Sequence, residues 1–225
     1  MIKAVLLDVD NTLLDFNLCA EDSIYKSAAD MDITLPDNII CAFFEVNATL
    51  WHDIEKGLLT REELHRIRFN KVFEKAHVNA DGIEFEKRFV EHVKHSAVHV
   101  NGAKDLLDYL KDKYMLCTAS NASAMQQKNR LTKAGFIGYF KHLFISEEIG
   151  EPKPSKKFFE ACFDYLYPID KSEIIMIGDS LTADINGAHA CGIKTCWYNH
   201  DKIPVPKDVC ADYIVNSLDE IKNIL

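Results

Sequence analysis

The short, mostly apolar run from Lys3 to Leu7 breaks abruptly into Asp8-Val9-Asp10-Asn11-Thr12, and no other feature constrains the fold as tightly. A run this short that ends on carboxylates reads as a strand buried on both faces. Strands of that kind belong to parallel sheets covered by helices, and such sheets bind ligands beyond the carboxyl ends of their strands. The pattern returns after Asn101-Gly102. Strands are expected at residues 114–118, 143–146, 174–177, 194–197 and 213–215. The helices between them are expected through Leu106, Leu107 and Leu110, over 123–134 with a stop at Gly135, from Ser155, and from Thr182. This alternation predicts an α/β core with helices on both sheet faces.

Between the first strand and the rest, residues 16–95 carry helical periodicity almost throughout. Ile39/Ile40, Phe43/Phe44, Leu50/Trp51 and Ile54 recur at helix spacing, with Gly57 as a stop. Thr60-Arg61-Glu62-Glu63 is a capping box that opens a helix carrying Leu64, Ile67, Val72, Phe73 and Ala76. A further helix is expected over 84–95. The division is therefore an α/β core of residues 1–14 and 98–225 with an all-helical domain, 15–97, inserted into it.

Composition removes several classes of function. With 48% hydrophobic and 27% charged residues, the chain can bury a sizeable core. Asp and Glu outnumber Lys and Arg 35 to 26, a net charge of −9, which argues against binding a nucleic acid polymer. No apolar run approaches the roughly 18–20 residues of a bilayer span. The first segment meets Asp8 too early for a secretory leader, so a cytoplasmic protein without a membrane is expected. Seven cysteines with no Cys-x-x-Cys pair predict reduced thiols rather than a disulfide framework or a zinc site. Nothing in the sequence calls for an obligate protein partner.

The chemistry gathers at the expected strand ends. Strand one delivers Asp8, Asp10 and Thr12; the second delivers Ser120-Asn121. The third is followed by Gly150-Glu151-Pro152-Lys153-Pro154. The fourth delivers Gly178-Asp179-Ser180 with Asp184 five residues on. Asp8, Asp10 and Asp179 crowded at one edge repel one another unless protonated or joined by a cation. Oxygen donors without His or Cys suit a hard ion, and Mg²⁺ is the expected one. Such a cation lets an anionic phosphoryl group approach an acidic protein. Lys153 adds positive charge, Ser120 and backbone N–H groups add donors, and Asp8 is available as a nucleophile.

Taken together, Asp8-x-Asp10-x-Thr12, Ser120, Lys153 and Gly178-Asp179-x4-Asp184 resemble the four motifs of the haloacid dehalogenase-like (HAD) hydrolase superfamily, in order and over essentially the whole chain. The resemblance implies a Rossmann-like core and identifies the helical insert with a four-helix cap. Leu50-Trp51-x5-Gly57, Ile145-Ser146-Glu147-Glu148-Ile149-Gly150 with Lys153-Pro154, and Thr195-Cys196-Trp197-x-Asn199 further resemble the noncanonical pyrimidine 5′-nucleotidase subfamily, which are Mg²⁺-dependent nucleoside monophosphatases. Glu151 departs from the small or apolar residue expected there, and Ala122 from a glycine.

The resemblance implies these roles. Asp8 attacks phosphorus and ligates the metal. Asp10 is general acid and then base, and its backbone carbonyl is a metal ligand; Asp179 is the third ligand. Ser120, Asn121 and Lys153 bind phosphate, while Thr12 and Asp184 support from behind. Phe16, Trp51 and Arg68 are the candidates for substrate choice. The implied partner is a small-molecule phosphate ester. Within the same motifs, alternatives are a sugar-phosphate or phosphoglycolate phosphatase and a β-phosphoglucomutase-like isomerase; a non-catalytic binding module is a further alternative. Asp10 argues against a dehalogenase, whose relatives lack that second acid. His92, His95 and His99 are spaced to share a helix face, but three separate surface histidines are the expected outcome.

Overall fold

The computed structural model describes residues 1–225, in two compact units: 1–16 with 97–225, and 17–96. The first unit is built on a six-stranded sheet in the order β3-β2-β1-β4-β5-β6, every neighbouring pair parallel. The strands are β1 (Ala4–Leu7), β2 (Met115–Ser120), β3 (His142–Ile145), β4 (Ile174–Gly178), β5 (Lys194–Tyr198) and β6 (Tyr213–Val215). Their position follows from side-chain alternation. Val5, Leu7, Ile175 and Ile177 point to one face, under α5 (Ala103–Leu110), α6 (Ala124–Lys133) and the terminal 3-10 helix Leu218–Asn223. Ala4, Leu6, Cys117 and Met176 point to the other, under α8 (Lys156–Leu166) and the single turn α9 (Gly187–Ala190). Both faces are dry, which is why the strands read as continuous apolar runs rather than alternating ones.

β1 is central, with β2 on one side and β4 on the other. The chain runs outward from β1 to β2 and β3, then returns to place β4 on the opposite flank. The strand order therefore reverses between β1 and β4, and a crevice at such a switch point is the standard ligand site of open α/β sheets. Asp8 and Asp179 stand at the ends of those two strands.

The helical unit contains α1 (Phe16–Asp30, entered from the first unit), α2 (Ile39–Glu55), α3 (Arg61–Ala76) and α4 (Gly82–Lys94). The Thr60–Glu63 capping box is present, and Asp81 caps α4 by accepting from Ile83 and Glu84 N–H groups. Phe43, Phe69, Phe73, Phe85 and Phe89 stack into one aromatic core, with neighbouring centroids 4.5–5.8 Å apart. Gly82 lets α4 begin against α3, since a Cβ there would lie 2.5 Å from the Asn70 backbone nitrogen.

The structure corrects several expected boundaries. α4 begins at Gly82, two residues early, because Asp81 is its cap. β2 runs on through Ser120, two residues past the expected end at Thr118. The helix expected from Thr182 is a π-helical turn, Leu181–Asn186, continued by α9. A one-turn helix, α7 (Ser146–Ile149), closes β3 and ends on Gly150 at φ +83°. All seven cysteines are free, and no helix is long and apolar enough to cross a membrane.

Candidate active site

Asp8 continues β1 by donating its N–H to the Ile177 carbonyl at 2.9 Å, which fixes it beside β4. The following loop turns sharply. Leu13 and Leu14 both donate to the Val9 carbonyl, and Asn11 takes the left-handed conformation at φ +59° that asparagine tolerates. Asn11 Oδ1 accepts the Phe16 N–H at 3.0 Å, tying the loop to the start of α1. Thr12, wholly buried, donates its hydroxyl to Asp179 Oδ1 at 3.3 Å.

Lys153 is the electrostatic centre. Its ammonium, 2% exposed, donates to Asp8 Oδ1 at 2.7 Å, Asp184 Oδ1 at 2.6 Å and the Ala119 carbonyl at 2.5 Å. Burial disfavours the charge, but Asp184 and Asp8 outweigh it and hold Lys153 above the ordinary lysine value. The side chain of Asn121 clamps the lysine's backbone from both ends: Nδ2 donates to the Lys153 carbonyl and Oδ1 accepts the Lys153 N–H. The side chain of Asn121, a residue expected at the phosphate, thus holds the Lys153 loop in place. Glu151 turns away and pairs with Lys157 at 2.8 Å.

Asp184 is placed by a glycine. A Cβ on Gly178 would fall 2.1 Å from Asp184 Oδ2, so only glycine leaves room for that carboxylate against β4. Its Oδ2 accepts the Ser180 N–H and its Oδ1 holds Lys153. The Asp179 backbone carbonyl in turn accepts the Trp197 indole N–H at 2.9 Å.

Asp8, Asp179 and Asp184 offer carboxylate oxygens that all lie within 4.8 Å of one another. Burial pushes Asp8 up to about 7 against the pull of Lys153, with Asp184 adding to the rise. Burial, then Asp8 and Asp184, raise Asp179 well above the ordinary carboxylate range. When ionised, three carboxylates face one ammonium and two negative charges go unbalanced. A buried all-oxygen site with that deficit fits a hard divalent cation such as Mg²⁺.

The side chain of Asp10 stands apart from this cluster. Its Oδ1 accepts from Arg130 Nη1, and its Oδ2 accepts from Gln127 Nε2 at 3.0 Å. Gln127 Nε2 also donates to Ser120 Oγ at 2.8 Å, joining the expected phosphate-binding serine to Asp10. Neither Gln127 nor Arg130 was marked by motif spacing. The available signal was position: with Leu131 they form the buried stripe of α6, an odd place for an amide and a guanidinium.

The other candidates are placed as follows. Phe16 is half-buried at the start of α1, and Trp51 packs beside Leu50, Ile54 and Leu64. Arg68, expected near a substrate, is instead 3% exposed within the helical unit. It donates to Glu86 and Asn47 and lies over the Phe89 ring at 4.8 Å, so its guanidinium is a core group. The three histidines have separate engagements: His92 with Asp30, His95 with Glu91, and His99 with the Ala134 carbonyl and the Phe136 ring.

Comparison with known proteins places these features in context. The haloacid dehalogenase-like hydrolase family matches residues 2–192. The HAD-hydrolase YfnB of Bacillus subtilis is 31% identical over 99% of this chain and 95% of its own length. Its crystal structure, bound to magnesium, superposes with a TM-score of 0.94 over 100% of this chain and 98% of that one. The pyrimidine 5′-nucleotidase PynA of Streptococcus pneumoniae is 34% identical over 99% of this chain and 97% of its own length. The pyrimidine 5′-nucleotidase YjjG of Escherichia coli is 28% identical over 98% and 96%.

Proposed function

The chain belongs to the haloacid dehalogenase-like hydrolase family, and on that premise we propose that it is a Mg²⁺-dependent phosphomonoesterase acting on pyrimidine nucleoside 5′-monophosphates through an aspartyl-phosphate. The observation that carries this reading is the separation of the two motif-one carboxylates. Asp8 sits against Lys153 in the cation cluster, while Asp10 is held outside it by Arg130 and Gln127. Two carboxylates in two environments are what a nucleophile and an acid–base partner require.

In the first half-reaction an Asp8 oxygen bonds to phosphorus as the bond to the leaving oxygen breaks, and Asp10 gives that oxygen its proton. In the second, water bonds to phosphorus, the bond to Asp8 breaks, and Asp10 takes the water's proton, which restores the starting state. Lys153 and Ser120 receive the phosphoryl oxygens, where charge accumulates in the transition state. Asp8, Asp179 and the Asp10 backbone carbonyl would hold Mg²⁺, with Asp184 as the anchor of Lys153. When bound, Mg²⁺ would supply positive charge that offsets the negative charge of the phosphate.

The substrate class rests on the two nucleotidase relatives. We assign the choice of substrate to Trp51 of the helical unit and to Phe16, which belongs to the first unit. Phe16 is tied through Asn11 to the loop that carries Asp8 and Asp10.

The test is phosphate release from UMP, dUMP and dTMP beside purine monophosphates and hexose phosphates, with and without Mg²⁺ and with Asp8→Asn as blank. Mg²⁺-dependent release favouring pyrimidines is expected. Release from sugar phosphates alone would keep the chemistry and discard the substrate class.

A further inference from the structure

Arg130 is a charged side chain with no exposure at all, on a helix that otherwise turns Leu131 into the core. A buried guanidinium is costly unless it meets an anion, and the carboxylate it meets is that of Asp10. Gln127, one turn earlier on the same face of α6, is equally buried. Its Nε2 reaches both Asp10 Oδ2 and Ser120 Oγ, while its Oε1 accepts from Arg130 Nη1 at 3.3 Å. Both oxygens of Asp10 are thus gripped by donors mounted on a helix, whereas the Asp10 side chain itself is 29% exposed.

We propose that Arg130 and Gln127 are positioning residues that aim the Asp10 carboxylate at the leaving oxygen and register it against the phosphate-binding hydroxyl of Ser120. This rests on the reading of Asp10 as the acid–base group. An unrestrained aspartate would sample several rotamers at a site where misplacement by about an ångström costs roughly a hundredfold in rate. Arg130 does not itself exchange protons, because a guanidinium stays charged at any working pH. Gln127 is neutral and carries no transferable proton of its own. Their contribution is geometric. Each oxygen of Asp10 keeps lone-pair capacity beyond the donor it already accepts, so proton transfer does not require the grip to open.

The experiment compares two leaving groups in single-turnover phosphorylation of the Mg²⁺-loaded enzyme. A nucleoside monophosphate expels an alkoxide that needs a proton, whereas p-nitrophenyl phosphate expels a phenolate that does not. Gln127→Met keeps the side chain's length without its polar atoms, Arg130→Lys keeps the charge without the fork, and Asp10→Asn is the reference. The expected result is a loss of roughly 10- to 100-fold for the nucleotide, with less than about threefold for the nitrophenyl ester, in both positioning variants. Steady turnover of the nitrophenyl ester should then show an initial burst, since release of phosphate from Asp8 still needs Asp10 in place. If Asp10→Asn separates the two esters but Gln127→Met and Arg130→Lys slow them equally or not at all, the positioning role is overturned and the acid–base role of Asp10 stands. If Asp10→Asn itself fails to separate them, the acid–base reading falls and the positioning role with it. Should Arg130→Lys fail to fold, Gln127→Met decides.

Discussion

The ammonium of Lys153 lies 2.7 Å from Asp8, the residue that follows the central strand, although 145 positions separate them in sequence. Lys153 is buried there, and Asp184 accepts from the same ammonium at 2.6 Å. Lys153 therefore acts as the fixed charge around which the site is assembled.

Removing that charge should cost stability as well as activity. Lys153→Met leaves Asp8 and Asp184 buried without their cation, a loss of about 3–5 kcal/mol for a broken buried pair. Adding Asp184→Asn should recover part of it, because the two sites are in contact and their effects do not add. Urea denaturation midpoints of the two single variants and the double variant measure the coupling.

Gly178→Ala makes the same point from the backbone. The added methyl would meet the Asp184 carboxylate at 2.1 Å, so the carboxylate must move and release Lys153. A stability loss of about 1–3 kcal/mol is expected from overpacking, together with a large fall in kcat. A fully active Gly178→Ala enzyme would contradict the placement of Asp184.

Protonation of the acidic cluster sets a pH dependence. In the metal-free protein Asp8 is raised from its ordinary value to about 7, and Asp179 is raised in the same direction. The folded state therefore holds protons that the unfolded chain has released. Their stabilising effect is complete below about pH 4 and is lost as the pH rises through about 7. A divalent ion must displace those protons, so its stabilising effect should grow over the same range. The rise in Tm on adding Mg²⁺ should be clearly larger near about pH 8 than near about pH 5.5; an equal rise at both would contradict the shift at Asp8.

Arg68 tests the division between core and site. Burial works against the charge of Glu86, yet Arg68 and His65 outweigh it and hold that carboxyl below the ordinary range. Arg68→Leu should destabilise by about 3–5 kcal/mol through the orphaned Glu86. The Arg68→Leu/Glu86→Leu pair should regain much of that loss, with KM for the nucleotide little changed in the variants that fold. A selective rise in KM without loss of stability would return Arg68 to the substrate.

Much of this was legible in the sequence because it depends on short-range rules. The β1 run and the Thr60–Glu63 box are local, and local chemistry decided them. Strand ends bearing Asp8, Ser120 and Asp179 were readable because parallel sheets gather such ends at one edge. Relations across the fold were not. That the Asn121 side chain would grip the backbone of Lys153 depends on how two loops meet, and nothing local encodes it. Arg68 and Arg130 lie between these cases. Arg68 falls one turn from both Leu64 and Val72, and Arg130 one turn from Ala134, so each occupied an inward-turned face. A charge on such a face requires a buried partner. Which partner, Glu86 in one case and Asp10 in the other, only the packing supplies.

Chemical trapping reads the nucleophile role of Asp8 directly. Asp10→Asn enzyme with Mg²⁺ is mixed with p-nitrophenyl phosphate, quenched in acid, reduced with borohydride and mapped by peptide mass spectrometry. Borohydride converts an aspartyl-phosphate to homoserine and leaves a free aspartate untouched. Conversion is expected at residue 8 alone, dependent on substrate and absent from an Asp8→Asn/Asp10→Asn double variant. Release of nitrophenolate without any modification at residue 8 would contradict Asp8 as the nucleophile.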